Sequence, residues 1–203
     1  MKRLPSVQPS PHTLQAKDLE RVALHVNPGG WSVQQERPMA TLLGSCVAVC
    51  LYDPHLRLAG MNHFLLPSRV SGAHACEDIV LNGDYAMEVL VNAMLQQGAS
   101  KERLVAKAFG GGTIVSSIRM AIGERNSEFA QRWLEREGFR LAASDFGGAW
   151  SRKLIFDPET GDVFCRRQPI TQSDARSLVI REQDYEQSLT APSPGQGKRI
   201  ELF

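Results

Sequence analysis

The stretch TLLGSCVAVCLYD, residues 41–53, decides the fold. Its back half, VAVCLY, is β-rich and apolar on both faces, as a strand covered on both sides would be. Gly44-Ser45 is a turn-prone pair that breaks the apolar run just before this buried segment, and Asp53-Pro54 stops it. Such a break can lift the Cys46 thiol out of the core and expose neighbouring backbone N–H groups, those of Ser45 and Val47, that could stabilise an oxyanion.

Working outward, Val22, Leu24 and Val26 alternate with Arg21, Ala23 and His25, which predicts a short strand ended by Asn27-Pro28-Gly29-Gly30. Downstream, Leu58 to Leu66 (core LAGMNHFLL) is the next strand, closed by Pro67-Ser68. Met87, Leu90, Val91, Met94 and Leu95 recur at helical spacing, with Asn82 or Asp84 as cap and Gly98 at the C′ position. Leu104 to Phe109 predicts a strand running into Gly110-Gly111-Gly112. Asn126 or Ser127 then opens a second helix that puts Phe129, Ala130, Trp133 and Leu134 on one face and ends at Gly138. Lys153–Phe156 and Asp162–Arg166, joined by DPETG, predict a hairpin. Thr171 with Asp174 forms a capping box for a weaker third helix to about Leu189. TAPSPGQG beyond it reads as a linker. Strands outnumber helices and come partly in runs, so the class is α+β with helices on one side of a sheet.

The chain has 203 residues, one domain with extensions rather than two. We divide it into a flexible extension (1–20), a folded domain (21–170) and a C-terminal helix and tail (171–203). Twenty-three basic against twenty-two acidic residues leave a net charge of +1. That balance argues against a nucleic-acid or anionic-lipid footprint, and the dispersed Trp31, Trp133 and Trp150 form no stacking platform. No uncharged stretch reaches the ~18 apolar residues of a membrane span, and the basic start lacks the apolar core of a secretory signal. The expected compartment is the reducing cytoplasm, with Cys46, Cys50, Cys76 and Cys165 as thiols.

Cys46 and Cys50, with His63, His74 and Cys76 downstream, offer zinc ligands by type. On a strand, however, residues 46 and 50 share a face about 13 Å apart, too far for one ion. Zinc is therefore the lesser reading, and no metal or cofactor is expected. The sharper reading makes Cys46 a nucleophile. A thiol of ordinary pKa is only a few per cent ionised at neutral pH and needs a base, for which His63, beside Asn62 in an apolar segment, is the leading candidate. An apolar-flanked cysteine is more often a small core residue and a lone strand histidine more often a satisfied core one, so spacing alone leaves the pair open. Gly110-Gly111-Gly112-Thr113 fits neither phosphate-loop pattern and reads as a close backbone approach lining a pocket. Gly147-Gly148 before Arg152-Lys153 reads as a turn with a solvated basic pair.

Taken in order, TLLGSCVAVCLYD, GMNHFLLP, KAFGGGTIV, IGERN and the D-x-GG-x-x-x-RK pattern at 145–153 resemble the CheD family of chemoreceptor glutamine deamidases. The resemblance covers residues 22–167. It implies a single-domain, three-layer α/β/β sandwich with mixed sheets and helices packed on one side, similar to the deamidase domain of certain bacterial toxins. It implies hydrolysis of glutamine carboxamides on methyl-accepting chemotaxis proteins through a cysteine thioester, with glutamyl methyl ester hydrolysis as a side reaction. The family's nucleophile falls on Cys46, its histidine on His63 and its threonine on Thr41, with Asn62, Gly110 and Gly111 as pocket candidates. The implied partner is the cytoplasmic helical domain of chemoreceptors. The alternative is a non-catalytic adaptor for receptors or for a CheC-type phosphatase.

Overall fold

A computed structural model describes residues 11–66, 75–113 and 116–169, with three isolated positions at 180, 184 and 187. In chain order the elements are α1 (Pro11–Val22), β1 (Leu24–His25), β2 (Trp31–Gln34), β3 (Met39–Leu43), β4 (Val47–Asp53) and β5 (Leu58–Asn62). Then come α2 (Ala75–Gln96), β6 (Val105–Gly110), α3 (Ser116–Arg136), β7 (Arg140–Phe146), β8 (Trp150–Phe156) and β9 (Val163–Pro169). Of the helix expected from Thr171 to about Leu189, only positions 180, 184 and 187 are described, each of them helical, and the rest of it and the tail lie outside the described residues.

The stretch 41–53 is two strands in two different sheets. β3 belongs to a four-stranded sheet of order β1-β3-β8-β9, and β4 is the middle strand of a five-stranded sheet of order β2-β5-β4-β6-β7. Gly44-Ser45-Cys46 carries the chain from one sheet to the other. Alternation then gives β4 two cores. Val47, Val49 and Leu51 face α2 and α3, among Leu90, Met94, Phe129 and Trp133. Cys46, Ala48 and Cys50 face the other sheet, among Met39, Leu43, Leu154 and Phe156. The layers are therefore helices, five-stranded sheet, four-stranded sheet, the expected α/β/β order with both sheets mixed.

Both long helices end as Gly98 and Gly138 predicted. Each glycine has positive φ (91° and 72°). The bonds Ala99 N–H to Met94 O and Gly98 N–H to Leu95 O make a Schellman cap, as do Phe139 to Leu134 and Gly138 to Glu135.

Several expectations are corrected. Residues 11–22 are helical, and Ala16 and Leu19 pack on Ala40, Ile155 and Phe164, so α1 covers the outer face of the four-stranded sheet and the helices are not confined to one side. α2 begins at Ala75, ahead of its predicted caps, and α3 begins at Ser116, so Asn126 is a mid-helix residue rather than an N-cap. β2 and β7 were not predicted. Arg152 is fully buried, bonded to Asp145 on the facing sheet and to the Gly147 carbonyl, while Lys153 pairs with Glu20 of α1. That pair is an inter-layer tie, not a solvated surface. No described helix is long and apolar enough to cross a membrane.

Candidate active site

β4 and β5 run antiparallel, with Cys50 opposite Met61. A further bridge sets Val47 opposite Phe64, bonded both ways at 3.0 and 2.8 Å. The same register puts Ala48 across from His63 and Cys46 across from Leu65. Cys46 and His63 are thus diagonal neighbours on one sheet face, a spacing of about 7 to 8 Å between backbones that side chains can close. Both lie between the two sheets, 0% and 2% exposed.

Thr41, on β3 of the facing sheet, completes the group. Its hydroxyl donates to the Val26 carbonyl at 2.7 Å and lies 2.8 Å from His63 Nδ1. A hydroxyl has one proton, and Val26 takes it. Nδ1 must therefore carry the hydrogen and donate to Thr41 Oγ1, which leaves the lone pair on Nε2. That nitrogen is buried and has no hydrogen-bond partner. Burial also pushes the imidazole down from its ordinary 6.5 to about 4, so His63 is neutral at physiological pH. A neutral imidazole with a fixed tautomer and an unengaged Nε2 can accept a proton from a neighbouring thiol.

The unfolded chain takes a proton on His63 near 6.5 and the folded chain only near 4. The stability contributed by keeping the ring neutral is complete above pH 6.5 and is lost as pH falls toward 4, on the order of 3 kcal/mol. Urea unfolding of wild type and His63→Gln at pH 7 and pH 4 measures it. The wild type should lose that much more than the variant across the interval. Thr41→Val should leave the fold intact and lower kcat roughly tenfold or more, because Nδ1 keeps only its longer, 3.4 Å contact with the Val26 carbonyl and the ring is held less firmly. Nitrogen-15 NMR of His63 should show the Nδ1 resonance shifted by the loss of its Thr41 bond while Nδ1 keeps the proton.

The turn before β4 is tied at three consecutive carbonyls. Gly112 N–H bonds the Gly44 carbonyl and Gly111 N–H the Cys46 carbonyl, both at 2.8 Å. Asn126 Nδ2 bonds the Ser45 carbonyl at 2.8 Å. Each tie sets a peptide plane and so aims the following N–H. Val47 was an expected oxyanion donor, and the structure corrects this: its N–H is spent on Phe64 in the β4–β5 bridge. Gly110 and Gly111 support the cysteine turn from behind. Asn62 faces away from the pair: its carboxamide accepts Val49 N–H at 2.9 Å and donates to the Ala86 carbonyl at 2.8 Å. It pins the strand to α2.

A cavity of about 230 Å³ against the four-stranded sheet reaches His63 and Thr41, with Val26, Asn27, Leu42 and Lys153 around it. None of Cys46, Asn62, Gly110 and Gly111 lines it. Cys46 is fully buried, so the break at Gly44-Ser45 does not lift its thiol out of the core. Among the described residues, no three His, Cys, Asp or Glu side chains gather as a metal site would require. Sequence reasoning took Asn126 for a helix N-cap and missed its bond to the cysteine turn; its one signal was the IGERN block of the family resemblance.

The family model described as CheD chemotactic sensory transduction matches residues 65–167. A Dechloromonas aromatica protein named "Probable chemoreceptor glutamine deamidase CheD 2" is 52% identical over 94% of this chain and 98% of its own. The chain belongs to the CheD family. Another CheD relative bearing that name, from Burkholderia thailandensis, is 40% identical over 92% of this chain and 96% of its own. A third, from Shewanella oneidensis, named "Probable chemoreceptor glutamine deamidase CheD 1", is 39% identical over 95% and 93%. The family-model match begins two residues after His63, so the glycine turn and Asn126 fall within it, whereas the relatives align along nearly the whole CheD chain. A Neisseria meningitidis structure, NMB0706, overlays 69% of this chain and 71% of its own with a TM-score of 0.37 at 15% identity.

Proposed function

We propose that this CheD-family chain hydrolyses the side-chain carboxamide of selected glutamines on the cytoplasmic helical part of chemoreceptors, leaving glutamates. The observation that carries this reading is the Thr41–His63 hydrogen bond, which leaves Nε2 without a partner on the face that also carries Cys46. His63 Nε2 takes the Cys46 proton as the sulfur attacks the carboxamide carbon. The imidazolium returns the proton to the departing ammonia, and a thioester remains. Water, giving its proton to Nε2, then attacks the thioester carbonyl. Glutamate forms and the thiol is restored. The Ser45 amide, aimed by the Gly44 tie, is the proposed oxyanion support in place of Val47, a role worth about 3 to 4 kcal/mol per donor. The same thioester arises from a glutamyl methyl ester with methanol as the leaving group, so ester hydrolysis belongs to the proposal.

The full burial of Cys46 favours a second reading, a non-catalytic adaptor that docks on receptors or on a CheC-type phosphatase. Incubating the purified protein with a receptor cytoplasmic fragment separates the two. Ammonia release, with the mass gain of amide-to-acid conversion and no backbone cleavage, supports the enzyme. Binding without ammonia supports the adaptor.

A further inference from the structure

We infer that Asn126 is a positioning residue that locks the cysteine turn and the chain following His63 into one unit, and that this lock sets the turnover rate of the proposed deamidation. Asn126 is 0% exposed in the middle of α3. Nδ2 donates to the Ser45 carbonyl at 2.8 Å, and Oδ1 accepts the Leu66 N–H at 3.0 Å. The two partners are of opposite type, so only one orientation of the carboxamide satisfies both. Ser45 immediately precedes Cys46, and Leu66 lies three residues after His63. The preceding residue in the helix, Arg125, donates Nη2 to the Leu66 carbonyl at 2.9 Å, so α3 holds both polar groups of Leu66.

The rest of the same helix face is shaped for this contact. Gly123, Asn126 and Ser127 fall at i, i+3 and i+4. A Cβ on Gly123 would lie 2.5 Å from the Gly111 carbonyl oxygen, and one on Gly111 would lie 1.8 Å from Ser127 Oγ. The helix backbone thus sits directly on the glycine turn whose N–H groups hold Gly44 and Cys46. Neither Asn126 bond reaches a reacting atom. The Ser45 bond fixes the peptide that adjoins Cys46, and the Leu66 bond anchors the chain three residues beyond His63; displacements of about 1 Å at that range cost rate out of proportion to stability.

Asn126→Ala and the isosteric Asn126→Asp test this, with Glu128→Ala on the exposed face of α3 as the control. In samples shown to be folded by circular dichroism, Asn126→Ala should lower kcat about tenfold or more with KM within about twofold, and the control should match wild type. Asn126→Asp carries a sharper signature. As a carboxylate it repels the Ser45 carbonyl, and as the neutral acid it donates to it, so its rate relative to wild type should rise as pH falls from 8 to 5. A filler of space would show no such trend. Labelling by iodoacetamide, with Cys46 ratioed to Cys165 by peptide mass, needs no substrate. It should differ from wild type about fivefold or more in both variants. Unchanged labelling ratios in folded variants overturn the inference even if wild type releases no ammonia. A silent wild type with altered ratios overturns the deamidase reading and leaves the lock standing.

Discussion

Cys46→Ala should abolish turnover, lowering glutamine deamidation by about 10⁴-fold or more, whereas Cys50→Ala should retain activity within about tenfold. The two thiols are chemically identical, share a strand face and are both buried, at 0% and 1% exposure. Their neighbours differ. Cys46 is diagonal to His63 and sits in a turn whose carbonyls are tied by Gly111, Gly112 and Asn126. Cys50 lies opposite Met61 and Lys107, within the apolar layer between the sheets. Burial pushes the Cys50 thiol far up from 9, an effect that Lys107 only partly offsets, so it has no usable thiolate. Cys50→Ala should therefore act through packing, costing about 1 to 2 kcal/mol for the small volume removed. Ammonia release from a receptor fragment measures the first effect and urea unfolding the second. Equal loss of activity in well-folded samples of both variants would contradict the division of labour.

What the sequence disclosed of this arrangement follows physical lines. The break at Gly44-Ser45 was legible because turn chemistry is local, and so were the helix ends at Gly98 and Gly138. That the break carries the chain between sheets was not legible, because two apolar strands in series look the same whether they share a sheet or not. β7 went unseen for a related reason: residues 140–144 are exposed on both faces of an edge strand, so RLAAS shows no alternation. Asn126 was misread because an asparagine before an apolar run is a good N-cap signal. Tertiary contacts overrode that signal, since the side chain bonds Ser45 and Leu66 from far along the sequence instead of capping its own helix. Cys46 and His63 stood out by residue type, and the family resemblance joined them. The Val47–Phe64 bridge that sets their register, and removes Val47 from the oxyanion role, is a pairing that only folding specifies.

The same contrast between local and tertiary constraint separates two glycine substitutions. Gly110 and Gly138 both have positive φ, 125° and 72°, so an alanine at either meets a backbone cost of about 1 kcal/mol. At Gly138 a Cβ has nothing within 4 Å, and the cost should end there. At Gly110 the same atom would lie 2.1 Å from the Cys46 carbonyl oxygen and 2.9 Å from Val47 Cα. Both are backbone atoms, so no side chain can swing aside. Relief requires β6 to part from β4 where Gly110 pairs with Val47. That movement would strain the Gly111 bond to the Cys46 carbonyl and the Gly147 bond to the Gly110 carbonyl, 2.8 and 3.0 Å in the native turn. Gly110→Ala should therefore lose about 3 to 5 kcal/mol, or about 10 °C in Tm for a chain of this length, against about 1 kcal/mol for Gly138→Ala. Whatever fraction still folds should deamidate poorly, because the displaced carbonyl belongs to the proposed nucleophile. Melting curves of the two variants that superimpose would refute the close approach of β6 to the cysteine turn, and with it the support that this turn draws from the glycines.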